Sequence, residues 1–158
     1  MTRTRALGLS FALVSTLLLP ACGNDTPTDS TVARAAITIT VDPTPVPPSQ
    51  NTLTGTVSIG YRITITEVNG LGGELTFVAS KVYDPVTGLL ASLTYFDGAD
   101  LIVFVGKKRV EPGGTLVIPQ TASYFLPDFR TQALLSIDAQ LKDDHDNVIN
   151  QSVLVKVE

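Results

Sequence analysis

Few residues in this chain of 158 could do chemistry, and the single histidine, His145, is the natural place to begin. A nucleophilic triad needs a serine, a base and an orienting acid held on a rigid frame. Ser152 and Asp146 lie near His145 in sequence, yet the histidine sits inside Asp143-Asp144-His145-Asp146-Asn147 and reads as a solvated turn residue. One His and one Cys make no zinc set. Asp143, Asp144, Asp146 and Asn147 offer hard oxygens and form a weak calcium candidate. They miss the EF-hand pattern, because Leu154 and Val155 stand where its bidentate Glu would be. Glu67 and Glu74 are a conceivable carboxylate pair for glycoside cleavage, but a small β domain rarely forms the deep cleft such chemistry uses. Asp97 and Asp100 read as turn acids. The chain holds no phosphate loop, redox motif or internal repeat, so it is expected to have no catalytic residues, no cofactor and no resident metal, and not to be an enzyme.

Binding is the better prospect. Tyr95 and Phe96, in Tyr95-Phe96-Asp97, and Tyr124, Phe125 and Phe129, in Tyr124-Phe125-Leu126-Pro127-Asp128-Phe129, are the candidate contact residues. Aromatic rings near loop ends stack on sugars or anchor partner proteins, although one ring of each adjacent pair is expected to pack inward. Lys107-Lys108-Arg109 concentrates positive charge and reads as a solubilised turn or an edge guard, or as a contact for an anionic lipid or glycan.

The single cysteine is explained by what precedes it. Arg3 and Arg5 are followed by an uncharged apolar stretch over residues 6–19, the layout of an export signal. At about fourteen residues the stretch is shorter than the roughly twenty a membrane-spanning helix needs. Leu19-Pro20-Ala21-Cys22 then resembles the lipobox of bacterial lipoproteins, with Leu19 at the aliphatic position and Ala21 at the small one. Pro20 departs from the small or aliphatic residues usual there, and the alternative is an ordinary signal peptidase cutting after Ala21. The resemblance implies cleavage before Cys22, lipidation of that cysteine and attachment to a membrane without spanning it. Gly23 replaces the Asp that retains lipoproteins in an inner membrane, which implies the outer membrane if the host is Gram-negative. The expected signal is residues 1–21, and residues 22–34, polar and rich in Thr and Asp, are expected to be a lipidated terminus and flexible tether. The whole chain has 11 cations and 15 anions. Loss of Arg3 and Arg5 leaves an acidic exported domain, so nucleic acid is not expected as a partner.

The domain that remains, residues 35–158, alternates. Ile37, Ile39 and Val41 share one parity against polar partners, and so does a run from Leu53 through Val57, Ile59, Tyr61, Ile63 and Ile65, interrupted by Gly55 and Gly60. The prolines at 43, 45, 47 and 48 predict a polyproline-like crossover or an edge segment. Residues 89–96, 101–105 and 115–118 are further strand candidates. The closing pair is clearest, with Leu135 expected opposite Val155 and Ile137 opposite Val153. No stretch shows a helical period, and seven or eight strands predict an antiparallel β-sandwich. Glu111-Pro112-Gly113-Gly114-Thr115-Leu116 and the Asp/Asn-rich closing turn resemble immunoglobulin-like and fibronectin type III-like modules of bacterial envelope proteins. Taken with the lipobox, the expectation is a non-catalytic, lipid-anchored envelope protein whose sandwich binds an envelope protein or glycan or serves structurally. The alternatives are a carbohydrate- or calcium-dependent module acting at a loop end, and a small hydrolase.

Overall fold

Period-two patterning becomes paired strands almost wherever it occurs. The computed structural model describes residues 33–158, and the lipobox, Cys22 and the expected signal and tether up to residue 32 lie outside the described residues. The chain runs β1 (Ile37–Asp42), β2 (Pro48–Gln50), β3 (Val57–Glu67), β4 (Gly73–Tyr83), β5 (Leu90–Asp97), α1 (Gly98–Val105), β6 (Arg109–Val110), β7 (Thr115–Tyr124), β8 (Ala133–Asp143) and β9 (Val148–Val157). In one sheet β1 and β2 share an edge of β3 while β7 takes the other; the second has the order β5-β4-β8-β9, with β6 on the β5 side of β4. Every strand pairing is antiparallel. Inward residues of both sheets, among them Ile63, Ile65, Ile118, Leu135, Ile137 and Leu141, are fully buried and form one core. Each such side chain contributes about 1.5–3 kcal/mol by leaving water. The result is an antiparallel immunoglobulin-like β-sandwich. Its last two strands have the expected register, Leu135 opposite Val155 and Ile137 opposite Val153.

Three expectations fail locally, and a fourth segment takes one of its two expected forms. Residues 101–105 are helical: the Asp97 carboxylate accepts from the Ala99 and Asp100 amides at 2.7 and 2.9 Å, and the Asp100 carboxylate accepts from Asp97 N–H. This reciprocal capping box, closed by Gly106 at φ 81°, makes Asp97 and Asp100 helix-starting residues, so reading them as turn acids is corrected. Leu53 belongs to a turn, because the Asn51 side chain accepts from the Leu53 and Thr54 amides and β3 starts only at Val57. Gly60 passes through β3 with no break in register; the irregularities fall in β4, at residues 75/77 and 82/83. The proline segment is the edge segment that is one of its two expected forms, with Val46 bridging to Val157 of β9 and Pro48–Gln50 pairing with β3.

The sandwich has two distinct ends. At the entry end Ala33 O faces His145 Nδ1 at 3.2 Å and Ala35 N–H donates to Asp143 at 3.1 Å, beside the β3–β4, β6–β7 and β8–β9 turns. The far end is built from the turns around residues 51–56, 84–89 and 125–132.

Candidate functional site

Exposed apolar side chains collect at the far end. Leu53 is 94% exposed, and Val86, Leu89, Leu90, Phe125 and Phe129 are each at least half exposed. A groove of about 210 Å³ runs among Thr87, Leu89, Leu90, Phe125, Leu126 and Pro127. Scattered apolar side chains need no explanation, whereas a patch built from three separate turns marks an interaction surface.

The turns that bear this patch are stiff. Asp84, 3% exposed, accepts from the Val86 amide, the Thr87 hydroxyl and both guanidinium nitrogens of Arg130 at 2.8 and 3.0 Å. The Arg130 pair is the largest influence on this carboxyl, whose pKa is held down to about 2. Asp128 and Phe129 are both left-handed, at φ 60° and 54°, a conformation that non-glycine residues adopt at a cost. Gln50 holds the turn by donating to Phe129 O at 3.0 Å. The Phe125 and Phe129 rings meet edge-on, centroids 6.3 Å apart, over the backbone of Gly55. A Cβ at Gly55 would come within 2.7 Å of the Phe129 ring. Tyr124 lies beneath, 3% exposed, donating its hydroxyl to Thr131 O, and burial pushes its phenol up to about 12. It anchors the surface from below. Replacing Arg130 with Gln leaves the Asp84 carboxylate without its bidentate partner; the expected result is a melting point lower by roughly 5 °C and faster amide exchange across residues 125–131.

The other sequence candidates are placed elsewhere. Tyr95 stacks on Phe77 at 5.7 Å on the outer face of the five-stranded sheet, and Phe96 turns inward against Phe104 at 5.2 Å. His145 is held at Ala33, Ser152 donates to Asp138 at 2.6 Å and Asp146 pairs with Lys142 at 2.7 Å, so these three side chains have separate partners. Glu67 is buried in the first sheet, whereas Glu74 pairs with Lys108 on the second. In the acidic hairpin Asp143 is an internal acceptor for the amides of Ala35, His145 and Asn147 and for the Asn147 side chain, and Asp144 forms a two-pronged pair with Arg109 at 2.8 Å. Among the described residues no group of three or more His, Cys, Asp or Glu side chains is placed to hold a metal ion. A larger cleft of about 520 Å³ lies at the entry end, but Lys108, Arg109 and Lys142 in its wall are already paired with Glu74, Asp144 and Asp146.

Sequence reasoning found Phe125 and Phe129 but missed Leu53, Val86, Leu89 and Leu90. Asn51 and Gly55, four residues apart, were the available sign that Leu53 sits on a turn.

No protein-family model matches the chain, and no curated protein does either. Among solved structures it is similar to the structural-genomics target SoR45, with 12% identity over 78% of this chain and 86% of that one and a TM-score of 0.53. It is also similar to a Bordetella pertussis protein given the name ApaA, with 10% identity over 78% of this chain and 94% of that one and a TM-score of 0.54. A CARDB domain from Pyrococcus furiosus has 15% identity over 78% of this chain and 94% of that one, with a TM-score of 0.39. Identities this low speak to architecture alone. What the chain shares with SoR45 and the Bordetella protein is its fold.

Proposed function

We propose that the chain is a non-catalytic, lipid-anchored cell-envelope protein whose sandwich is an interaction module, held at one end and binding at the other. The observation that supports this reading is the placement of the stiff apolar surface around Phe125 and Phe129 at the end opposite to the one where the chain enters at Ala33. A tether from Cys22 leads into the entry end and leaves the aromatic end facing away from the membrane. The partner is an envelope protein with a complementary apolar surface. A glycan is less well matched, because Phe125 and Phe129 meet edge-on and their neighbours Leu53, Val86, Leu89 and Leu90 are aliphatic. Outer-membrane placement follows from Gly23 if the host is Gram-negative.

Two measurements test the two halves of the proposal. Intact mass and membrane partition, wild type against Cys22→Ser, should show an acylated, membrane-bound protein and a soluble variant; cleavage after Ala21 with no acyl group in either would remove the anchor. A photo-crosslinker at position 53 should give a discrete adduct in intact cells that disappears in the Phe125→Ser, Phe129→Ser double variant. An adduct that persists unchanged would show that the aromatic surface is not the binding site.

A further inference from the structure

We propose that α1 is a membrane-contact element, seating Ile102, Val103 and Phe104 at the interface of the bilayer that holds Cys22. This rests on the lipid-anchor reading above. The helix is short, and Leu101 alone among its residues is buried in the core. Val103 is 88% exposed, and Ile102 and Phe104 are about half exposed. Phe104 stacks on Phe96 with part of its ring, whereas Ile102 and Val103 present their apolar side chains mostly to water. Exposed apolar side chains followed by a cation are what an element seated at a bilayer interface presents.

Position identifies the occupant. The helix is inserted between β5 and β6 on one edge of β4, and β6 pairs with Gly73 and Glu74, the first residues of β4 at the entry end. From there a chain of contacts leads to the point of entry: Arg109 holds Asp144, the adjacent Asp143 accepts from Ala35, and His145 faces Ala33. The eleven residues from Cys22 to Ala33 span at most about 40 Å. The far end of the sandwich stands a further β3 length away, eleven residues or roughly 36 Å. A lipid on Cys22 is joined to the domain at the end that carries α1, which lies nearer that point of attachment than the Phe125–Phe129 surface does.

Charge agrees at the end of the helix that matters. Gly106 closes α1 and Lys107 follows, with no ion pair among the described residues, placed to meet a lipid phosphate. Lys108 and Arg109 are tied to Glu74 and to Asp144 and Glu111, so apolar insertion is the main attraction and the basic run is a minor one. Asp97 and Asp100 are engaged in the capping box at the opposite terminus.

The chain has no tryptophan, so a single introduced one is a clean depth reporter. Val103→Trp and, separately, Leu53→Trp would be placed in the full-length protein, both at exposed sites that tolerate the ring. Each would be reconstituted into phosphatidylethanolamine/phosphatidylglycerol vesicles with and without acyl chains brominated near the glycerol end. The expected result is a blue-shifted emission at position 103 that brominated lipid quenches, with position 53 unshifted and unquenched. An acylated protein that floats with the vesicles but is unquenched at 103 overturns the proposal and leaves the anchor standing. Equal quenching at 103 and 53 overturns it too, since the domain would then lie on its side. A chain whose mass shows no acyl group overturns both readings, and the mass spectrum tells these failures apart.

Discussion

Replacing Glu67 with Ala should cost about 3 kcal/mol of stability although the side chain is a charged one. Glu67 is 1% exposed at the end of β3, and its two oxygens accept from the amides of Asn69 at 2.9 Å, Gly70 at 2.8 Å, Gly113 at 2.8 Å and, more weakly, Ala36 at 3.4 Å. One carboxylate thus joins three pieces of chain: the β3–β4 turn, the β6–β7 turn and the entry segment. Truncation leaves buried N–H groups without an acceptor, the costly way to lose a hydrogen bond. Glu67→Gln tests the mechanism. A glutamine has one acceptor oxygen and one NH₂, and whichever way it turns the NH₂ faces backbone donors, so the near-isosteric variant should still lose about 2 kcal/mol. Urea denaturation would measure both. A Gln variant as stable as wild type would show that the pocket is held by shape alone.

The same carboxylates make the loops acid-sensitive. Burial opposes ionisation of Glu67, but the backbone donors outweigh it and hold its pKa below the usual value. Asp143 behaves likewise: burial raises it, while Asn147 and the Ala35 and His145 amides bring it down to about 2. Asp84 is near 2 as well, chiefly through Arg130. A carboxyl depressed in the folded state adds stability that is intact above its unfolded pKa of about 4 and is lost as pH falls through the folded value. Melting temperature should therefore decline from about pH 4 toward pH 2, and Glu67→Ala should decline less steeply because one of the three is gone.

Strand identity was legible in the sequence because a half-buried strand writes its burial directly into a period of two. Ile37–Val41, Ile59–Ile65 and Ala133–Leu141 needed no tertiary information, and the closing register followed from the symmetry of the Asp143–Asn147 turn. Loop function was not legible. Asp84 and Arg130 are 46 residues apart, and nothing local says that they meet. Glu67 looked like a surface acid at a strand end, because its partners are backbone amides, which have no residue signature. Of the aromatic candidates, Tyr124 and Phe125 follow the alternation of β7, which runs on through Leu126 and sends the first inward and the second to water. Phe129 could not be sorted this way, because Pro127 with the left-handed Asp128 and Phe129 resets which way each side chain points.

The helix is the instructive failure, and it carries the second large prediction. Leu101-Ile102-Val103-Phe104-Val105 is rich in β-branched residues, and a short apolar run has no period with which to separate strand from helix. The decision is made outside the run, by Asp97 and Asp100 at one end and Gly106 at the other. Propensity is weak and caps are worth about 1 kcal/mol each, so tertiary burial must supply the rest, and Leu101, fully buried, is the residue that supplies it. Leu101→Ala should cost about 3 kcal/mol, between the transfer of the lost methyl groups and the cavity they leave. In urea that shifts the unfolding midpoint by roughly 1.5 M for a slope near 2 kcal/mol/M. Because Leu101 is the one fully buried helix residue, with Val105 and Phe104 only partly packed, the loss should also appear as local opening: amides of α1 should exchange faster than those of β4 and β8 by more than the global change accounts for. Uniform loss across helix and sheet would mean instead that α1 is an integral part of the cooperative core and not a plug fastened to it chiefly by Leu101.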